Sequence, residues 1–307
     1  MPNVWTHLIF AEQLQKEVNI NWSDKIMDKY YNIGSQGPDP FFYYHFWPWQ
    51  KEKRLIKIGE WLHKFKCDDF LKEFIIYAKK IKSQYLLAYL YGYLSHYILD
   101  SHTHPFIIYK SGFQDHKHQK LEIIIDTLIA KKEKGIDTVT VPVTTYLTLK
   151  KGLDETIIKM YLTLLNKVYG ESFNILNVKE EEINQAYFDM LRALNFFFDP
   201  YGLKNKVLGK LISPYSYQRD IAPKDYLNLQ KKEWSHPIDP KENSNLSFLE
   251  LYQKAFEKGK KVMHVIDLYM SDQEKIENVL TELGNLSYET GKPCNAKFEW
   301  LIFDPII

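Results

Sequence analysis

The stretch SQYLLAYLYGYLSHYILD, from Ser83 to Asp100, decides the fold. Leu86, Leu87, Leu90, Leu94 and Ile98 recur at the spacing of one helical face, so a helix is expected over 83–101. Gly92, Ser95 and His96 interrupt its apolar run, so it does not read as a membrane span. His96 and Asp100 are four residues apart and therefore stack on one side of that helix. Outward from here, helical periodicity dominates. Thr6 is placed to cap a first helix carrying Leu8, Ile9 and Leu14. Residues 51–65 and 68–80 read as amphipathic helices, as does 117–132 after an irregular stretch over 102–116. The loop Gly34-Ser-Gln-Gly-Pro-Asp-Pro40 has two glycines and two prolines, which exclude regular structure. Helices are expected over 154–169, 179–198, 247–270 and 272–283, with a Pro- and Asp-rich loop over 213–245. Only 138–148 has β character, and Pro142 weakens it. The expectation is a single all-α domain over 1–307, with a metal-site core in 1–133 and a helical remainder in 134–307.

Charge is nearly balanced, 40 basic against 39 acidic residues, so no stable nucleic-acid partner is expected. The 22 Tyr, 18 Phe and 7 Trp suffice for core packing and for the wall of a pocket that takes a lipid-like or planar group. Two cysteines, Cys67 and Cys294, provide neither a disulfide framework nor a thiolate metal cluster. The opening Met-Pro-Asn-Val-Trp-Thr-His lacks a basic start and an apolar run, so no secretory signal is read and a cytoplasmic protein is expected.

Eight of the ten histidines lie in the first 118 residues: His7, His45, His63, His96, His102, His104, His116 and His118. Singly, each has an ordinary reading as a surface or hydrogen-bonded core group, and His63 as a helix C-terminal cap. Their arrangement says more. His118 and Glu122 repeat the spacing of His96 and Asp100 on the next expected helix, with Asp126 one turn further. Two such pairs on consecutive helices, joined by a segment holding His102 and His104, form a donor set suited to zinc, which takes nitrogen and oxygen ligands in a tetrahedron. Asp39, fixed between two prolines, adds a carboxylate with little freedom, although a plain turn also accounts for it. Rival schemes fail on their spacing. One Glu-x-x-His, Glu60 to His63, is too few for a helical diiron site. No His-Asp dipeptide, nucleophile elbow, P-loop or dinucleotide fingerprint occurs.

Met-Pro-Asn-Val-Trp-Thr-His7, the Gly34 to Phe42 loop, Gly59-Glu-Trp-Leu-His63, Gly92-Tyr-Leu-Ser-His96 through Asp100 to His104-Pro105, and His118-Gln-Lys-Leu-Glu122 together resemble the zinc-dependent phospholipase C family over roughly 1–126. The resemblance implies an all-α fold of that type with a helical C-terminal extension, and two or three zinc ions. It assigns Asp39, His63, His96 and Asp100 to a first zinc, and His104, His118 and Glu122 to a second. Asp100 would bridge toward a third held by His7 and the free N-terminal amine. That amine would belong to Pro2, once the initiator methionine is removed. His102 competes with His104, and His104 is preferred because it abuts Pro105.

The function expected from this reading is hydrolysis of a phosphodiester, small or phospholipid, by a metal-activated water that attacks phosphorus. Asp39 is the candidate catalytic residue, to orient or deprotonate that water. Transient contact with a membrane surface is compatible with a lipid substrate. The aromatic run Phe41 to Trp47 would line the pocket or pack beneath it. Two other classes stay open: a single-strand zinc nuclease, which would want stacking platforms and a basic groove, and a non-catalytic protein that keeps the ligands.

Overall fold

Helix α5, Gln84–Ser111, is buried over almost its whole length and is the axis around which the chain folds. The structure, a computed structural model, describes residues 3–22, 24–294 and 298–307, with Lys210 described by its backbone alone. Before α5 come α1 (Val4–Glu17), α2 (Ile26–Gly34), α3 (Ile56–Lys64) and α4 (Cys67–Ile81). After it come α6 (Lys117–Lys134), α7 (Thr144–Leu147), α8 (Glu155–Tyr169), α9 (Glu171–Leu176) and α10 (Glu180–Phe197). The last three are α11 (Leu203–Leu208), α12 (Phe248–Met270) and α13 (Ile276–Leu283). The fold is all-α, of the type expected, and its β structure among the described residues is one short antiparallel hairpin, β1 (Trp234–His236) and β2 (Asp239–Ser244), and an isolated bridge between Leu286 and Pro293. Among the described residues no helix is long and apolar enough to cross a membrane.

Helix α5 packs against α1, α2, α4, α6, α8, α12 and β1, and buried apolar side chains from Val4 to Cys294 form one contiguous cluster. Its contact with α2 depends on two glycines. A Cβ on Gly34 would lie 2.2 Å from the Tyr89 carbonyl oxygen, and one on Gly92 would lie 2.1 Å from that of Tyr31. Only hydrogen at both places lets the backbones come this close. That approach seats the loop following α2, which carries Asp39, directly beside His96.

Several boundaries differ from those expected. Asn3, not Thr6, caps α1, its side chain accepting from the Val4 amide. Helix α2 was not expected, and the helix read over 51–65 is confined to Ile56–Lys64. The stretch read as irregular over 102–116 is helical to Ser111, through Pro105. A proline inside a helix removes one backbone hydrogen bond and costs about 3 kcal/mol. Burial of Phe106, Ile107, Ile108 and Tyr109 just beyond it offsets that cost. The β character read over 138–148 gives turns and α7 instead, since Val-Pro-Val cannot complete a ladder. The loop read over 213–245 contains the hairpin, whose Trp234 packs edge-on to Phe106 at 5.5 Å between ring centres. Cys67 and Cys294, 227 residues apart, form a disulfide with 6.2 Å between their Cα atoms, a pairing that sequence spacing does not reveal. It ties the loop 284–294 to the start of α4.

Replacement of Gly92 by Ala should force α2 off α5 and cost about 1–3 kcal/mol. The midpoint of urea denaturation should fall accordingly, and an unchanged midpoint would show that the close approach is not maintained in solution.

Candidate metal centre

Two helices present acids and histidines at intervals of four: His96, Asp100 and His104 on α5, and His118, Glu122 and Asp126 on α6. At 3.6 residues per turn each ladder keeps to one face, and the two faces lie toward one another. The 3₁₀ turn Asp39–Tyr43 brings in Asp39, the end of α3 brings in His63, and the first turns of α1 bring in His7. All eight candidates fall into three groups: Asp39, His63 and His96; His7, His96 and Asp100; and His104, His118 and Glu122. Within each group the donor atoms lie within 4.8 Å of one another.

Two nitrogens on a tetrahedral zinc, each at about 2.0–2.1 Å, sit roughly 3.3 Å apart. The observed edges are of that size. His63 Nε2 is 3.3 Å from Asp39 Oδ1, and His96 Nε2 is 3.2 Å from Asp100 Oδ2. His7 Nε2 is 3.2 Å from Asp100 Oδ1, and His104 Nε2 is 3.2 Å from His118 Nε2. His118 Nε2 is 2.8 Å from Glu122 Oε1. Asp100 thus turns one oxygen to His7 and the other to His96.

The other ring nitrogens set the tautomers. His63 Nδ1 lies 2.7 Å from the Gly59 carbonyl, His96 Nδ1 3.1 Å from that of Ser35, and His104 Nδ1 3.1 Å from that of Tyr288. A carbonyl only accepts, so each Nδ1 carries the proton and each Nε2 keeps its lone pair for the centre. His118 Nδ1 is 3.2 Å from Ser111 Oγ, whose own proton goes to the Ile107 carbonyl, so the same tautomer follows. In that tautomer the Nε2 lone pairs of His104 and His118 belong to the donor set that also includes Glu122. Deep in the site, His7 Nε2, Asp39 Oδ1, His96 Nε2 and both Asp100 oxygens are buried without a directed hydrogen bond among the described residues. Buried polar atoms are rarely left so. The donor types, the edge lengths and these orphaned atoms together fit zinc.

Electrostatics agree with the geometry. Burial by itself would raise the Asp100 carboxyl, but the His96 and His7 rings hold it well below the usual carboxylate range. Burial pushes His104 well below the ordinary imidazole value, so it is neutral near pH 7, as a metal ligand must be. Asp126 plays a different part. Its carboxylate accepts from the Trp5 amide at 2.9 Å, the Thr6 amide at 2.9 Å, the Thr6 hydroxyl at 2.6 Å and the Tyr217 hydroxyl at 2.7 Å. It caps the first turn of α1 from 120 residues away and so fixes His7, while burial raises its own pKa to about 6.

The model of one protein family, "Zinc dependent phospholipase C", matches residues 6–171. The chain belongs to this family. The match to zinc-dependent phospholipases C runs past residue 126, where the sequence resemblance stops, and takes in α7 and α8. No curated protein and no solved structure matches the chain.

His102 stands apart from the three groups, its Nδ1 donating to the Ile98 carbonyl at 2.8 Å. His45 and His116 are likewise elsewhere, beside the Glu52 carbonyl and the Tyr215 hydroxyl. The N-terminal amine, the further ligand suggested by the resemblance, lies outside the described residues. Sequence reasoning missed Tyr288, whose carbonyl orients His104 and whose amide donates to the His63 carbonyl at 3.1 Å. It also missed the part of Tyr217. Neither stands near a histidine in the sequence, and main-chain contacts leave no residue signature.

Asp126→Ala should unpair the first amides of α1 and lower stability by about 1–3 kcal/mol. Hydrogen exchange at the Trp5 and Thr6 amides should quicken more than at amides in α8. Equal exchange in both helices would mean that Asp126 does not hold α1.

Proposed function

We propose that this member of the family is a zinc-dependent phosphodiester hydrolase of phospholipase C type whose substrate carries an apolar portion. The observation that supports this most is a cavity of about 760 Å³ lined by Asp39, His63, His104, His118 and Glu122 together with the aromatic rings of Phe42, Trp47, Phe113 and Phe197. A cluster of metal-type donors opening into a largely apolar cavity suits a phosphodiester joined to a lipid-like group.

In this reading Asp39, His63, His96 and Asp100 would hold one zinc, His104, His118 and Glu122 a second, and His7 with Asp100 a third. Bound zinc supplies positive charge for a phosphate and its transition state and brings the pKa of a water toward ~7. The remaining work falls to the chain. Asp39 is 17 % exposed and lines the cavity, whereas Asp100 is fully buried, so Asp39 is the carboxylate placed to orient a water there or take its proton. Carbonyl acceptors behind His63, His96 and His104 keep those rings from turning. Aromatic walls hold the apolar portion and keep bulk water from the donor cluster. We also read 1–307 as one domain, because α12 of the second half packs on α5 of the first. The cytoplasmic expectation meets a counter-argument in the Cys67–Cys294 disulfide, since such bonds persist in oxidising compartments. Trapping the thiols in intact cells decides between them: a bridged pair speaks for an oxidising compartment, free thiols for the cytoplasm.

Zinc-loaded protein should contain at least two zinc ions per chain by elemental analysis. Asp100→Ala should lose more than one, while His45→Ala, His102→Ala and His116→Ala should lose none. The opposite ranking would reject this ligand set.

On a panel of phosphodiesters, hydrolysis should favour glycerophospholipids and stop on chelation. Asp39→Asn should lower kcat by about a hundredfold or more. Cleavage of single-stranded oligonucleotides alone would make the protein a nuclease. A fully loaded chain that turns over neither substrate would leave a zinc-binding protein.

A further inference from the structure

Helix α11 is built inside out. None of its residues is buried, and its apolar side chains face solvent, with Leu203 64 % and Val207 81 % exposed at positions four apart. Tyr201 before it and Leu211 after it are also exposed. Its polar residues do the anchoring. Lys204 Nζ donates to the carbonyls of Asn195, Phe196 and Phe198 at the end of α10. The Asn205 amide and side chain both donate to Asp199 Oδ2, and the Asn205 side chain also reaches Ser216 Oγ at 2.9 Å. A helix of a water-soluble surface turns its apolar stripe inward. Here the polar side is fastened down, so the apolar side is held out.

This face continues into the cavity. Leu208 and Leu211 line it from one side, and Trp49, 70 % exposed and stacked on Trp47, lines it from another. The segment that carries it is basic in sequence. Residues 200–219 include Lys204, Lys206, Lys210 and Arg219 and no acidic residue. Lys53 stands at the rim beyond Trp49, while Glu52 is paired with Arg54 and Glu289 with Lys64.

We propose that Tyr201, Leu203, Val207, Leu211 and Trp49 form a collar that inserts into the surface of an anionic phospholipid bilayer and sets the cavity mouth against it. Aliphatic and indole groups among lysines suit the headgroup boundary, where apolar tips go down and cations meet anionic lipid. A second copy of the chain fits less well, because a two-fold contact would set this wholly basic segment against itself. The proposal rests on the phosphodiesterase reading only for the lipid as substrate, and binding is read without catalysis.

The test is co-sedimentation of the zinc-loaded full chain with vesicles of phosphatidylcholine, pure or with about 20 % phosphatidylserine. Binding should be stronger to the mixed vesicles. Leu203→Asp with Val207→Asp should weaken it by about tenfold or more, while zinc content and hydrolysis of a monomeric short-chain phosphodiester stay unchanged. Leu203→Ser with Val207→Ser, a gentler pair, should weaken it in the same direction. Vesicle binding without hydrolysis of any phosphodiester would uphold the collar while rejecting the proposed activity. Absence of binding, binding by both double variants as strong as that of the unaltered chain, or a dimer that the aspartate pair dissociates would overturn the collar.

Discussion

A carboxylate with no solvent exposure, in the middle of a helix otherwise rich in Leu and Tyr, sets the terms for the rest of the structure. Burying an unpaired charge costs several kcal/mol, so Asp100 obliges the fold to bring compensating groups to it. His96 comes from the preceding turn of the same helix, but His7 has to be delivered by a separate element. Much of the architecture serves that delivery. Asp126 pins the first turn of α1, and the Gly34–Gly92 approach seats the Asp39 loop against the same rings. The rings of His7 and His96 are stacked with centres 4.1 Å apart, so the two imidazoles share one side of the carboxylate and present both of its oxygens with nitrogen partners.

Spacing and orientation are supplied by different parts of the chain. Helices α5 and α6 place donors at regular intervals but do not by themselves choose which ring nitrogen of His96 or His104 points inward. That choice comes from main-chain carbonyls on other segments: Ser35 after α2 and Tyr288 in the loop tied down by the disulfide, with Gly59 one turn back on α3 doing the same for His63. Weakening any of these acceptors would leave the ligand count intact but free a ring to rotate, a class of defect that a census of ligands overlooks.

This division explains how much was legible in the sequence. Side chains at intervals of four, as in His96–Asp100 and His118–Glu122, carry their geometry with them, so the long helices, and the residues that the structure brings together, could be read directly. Asp39 was legible through its flanking prolines. The continuation of α5 through Pro105 was hidden, because burial of Phe106 to Tyr109 outweighs a local rule that favours a break. Main-chain partners such as the Tyr288 carbonyl carry no residue identity at all. The Cys67–Cys294 pair and the walls from Phe196 and Phe197 depend on tertiary contacts that no short window contains.

The loop 284–294 has a consequence for the order in which the protein is made. Every candidate ligand is encoded in the first 122 residues, yet the carbonyl that aims His104 and the amide that reaches the His63 carbonyl belong to Tyr288. A nascent chain on the ribosome therefore exposes all its histidines and acids long before the piece that orients two of them has been synthesised. Until then His63 and His104 are free to turn, and a metal ion met early would find a looser, less selective set of donors. Faithful loading thus waits for the segment around Tyr288 to fold back over the first helices.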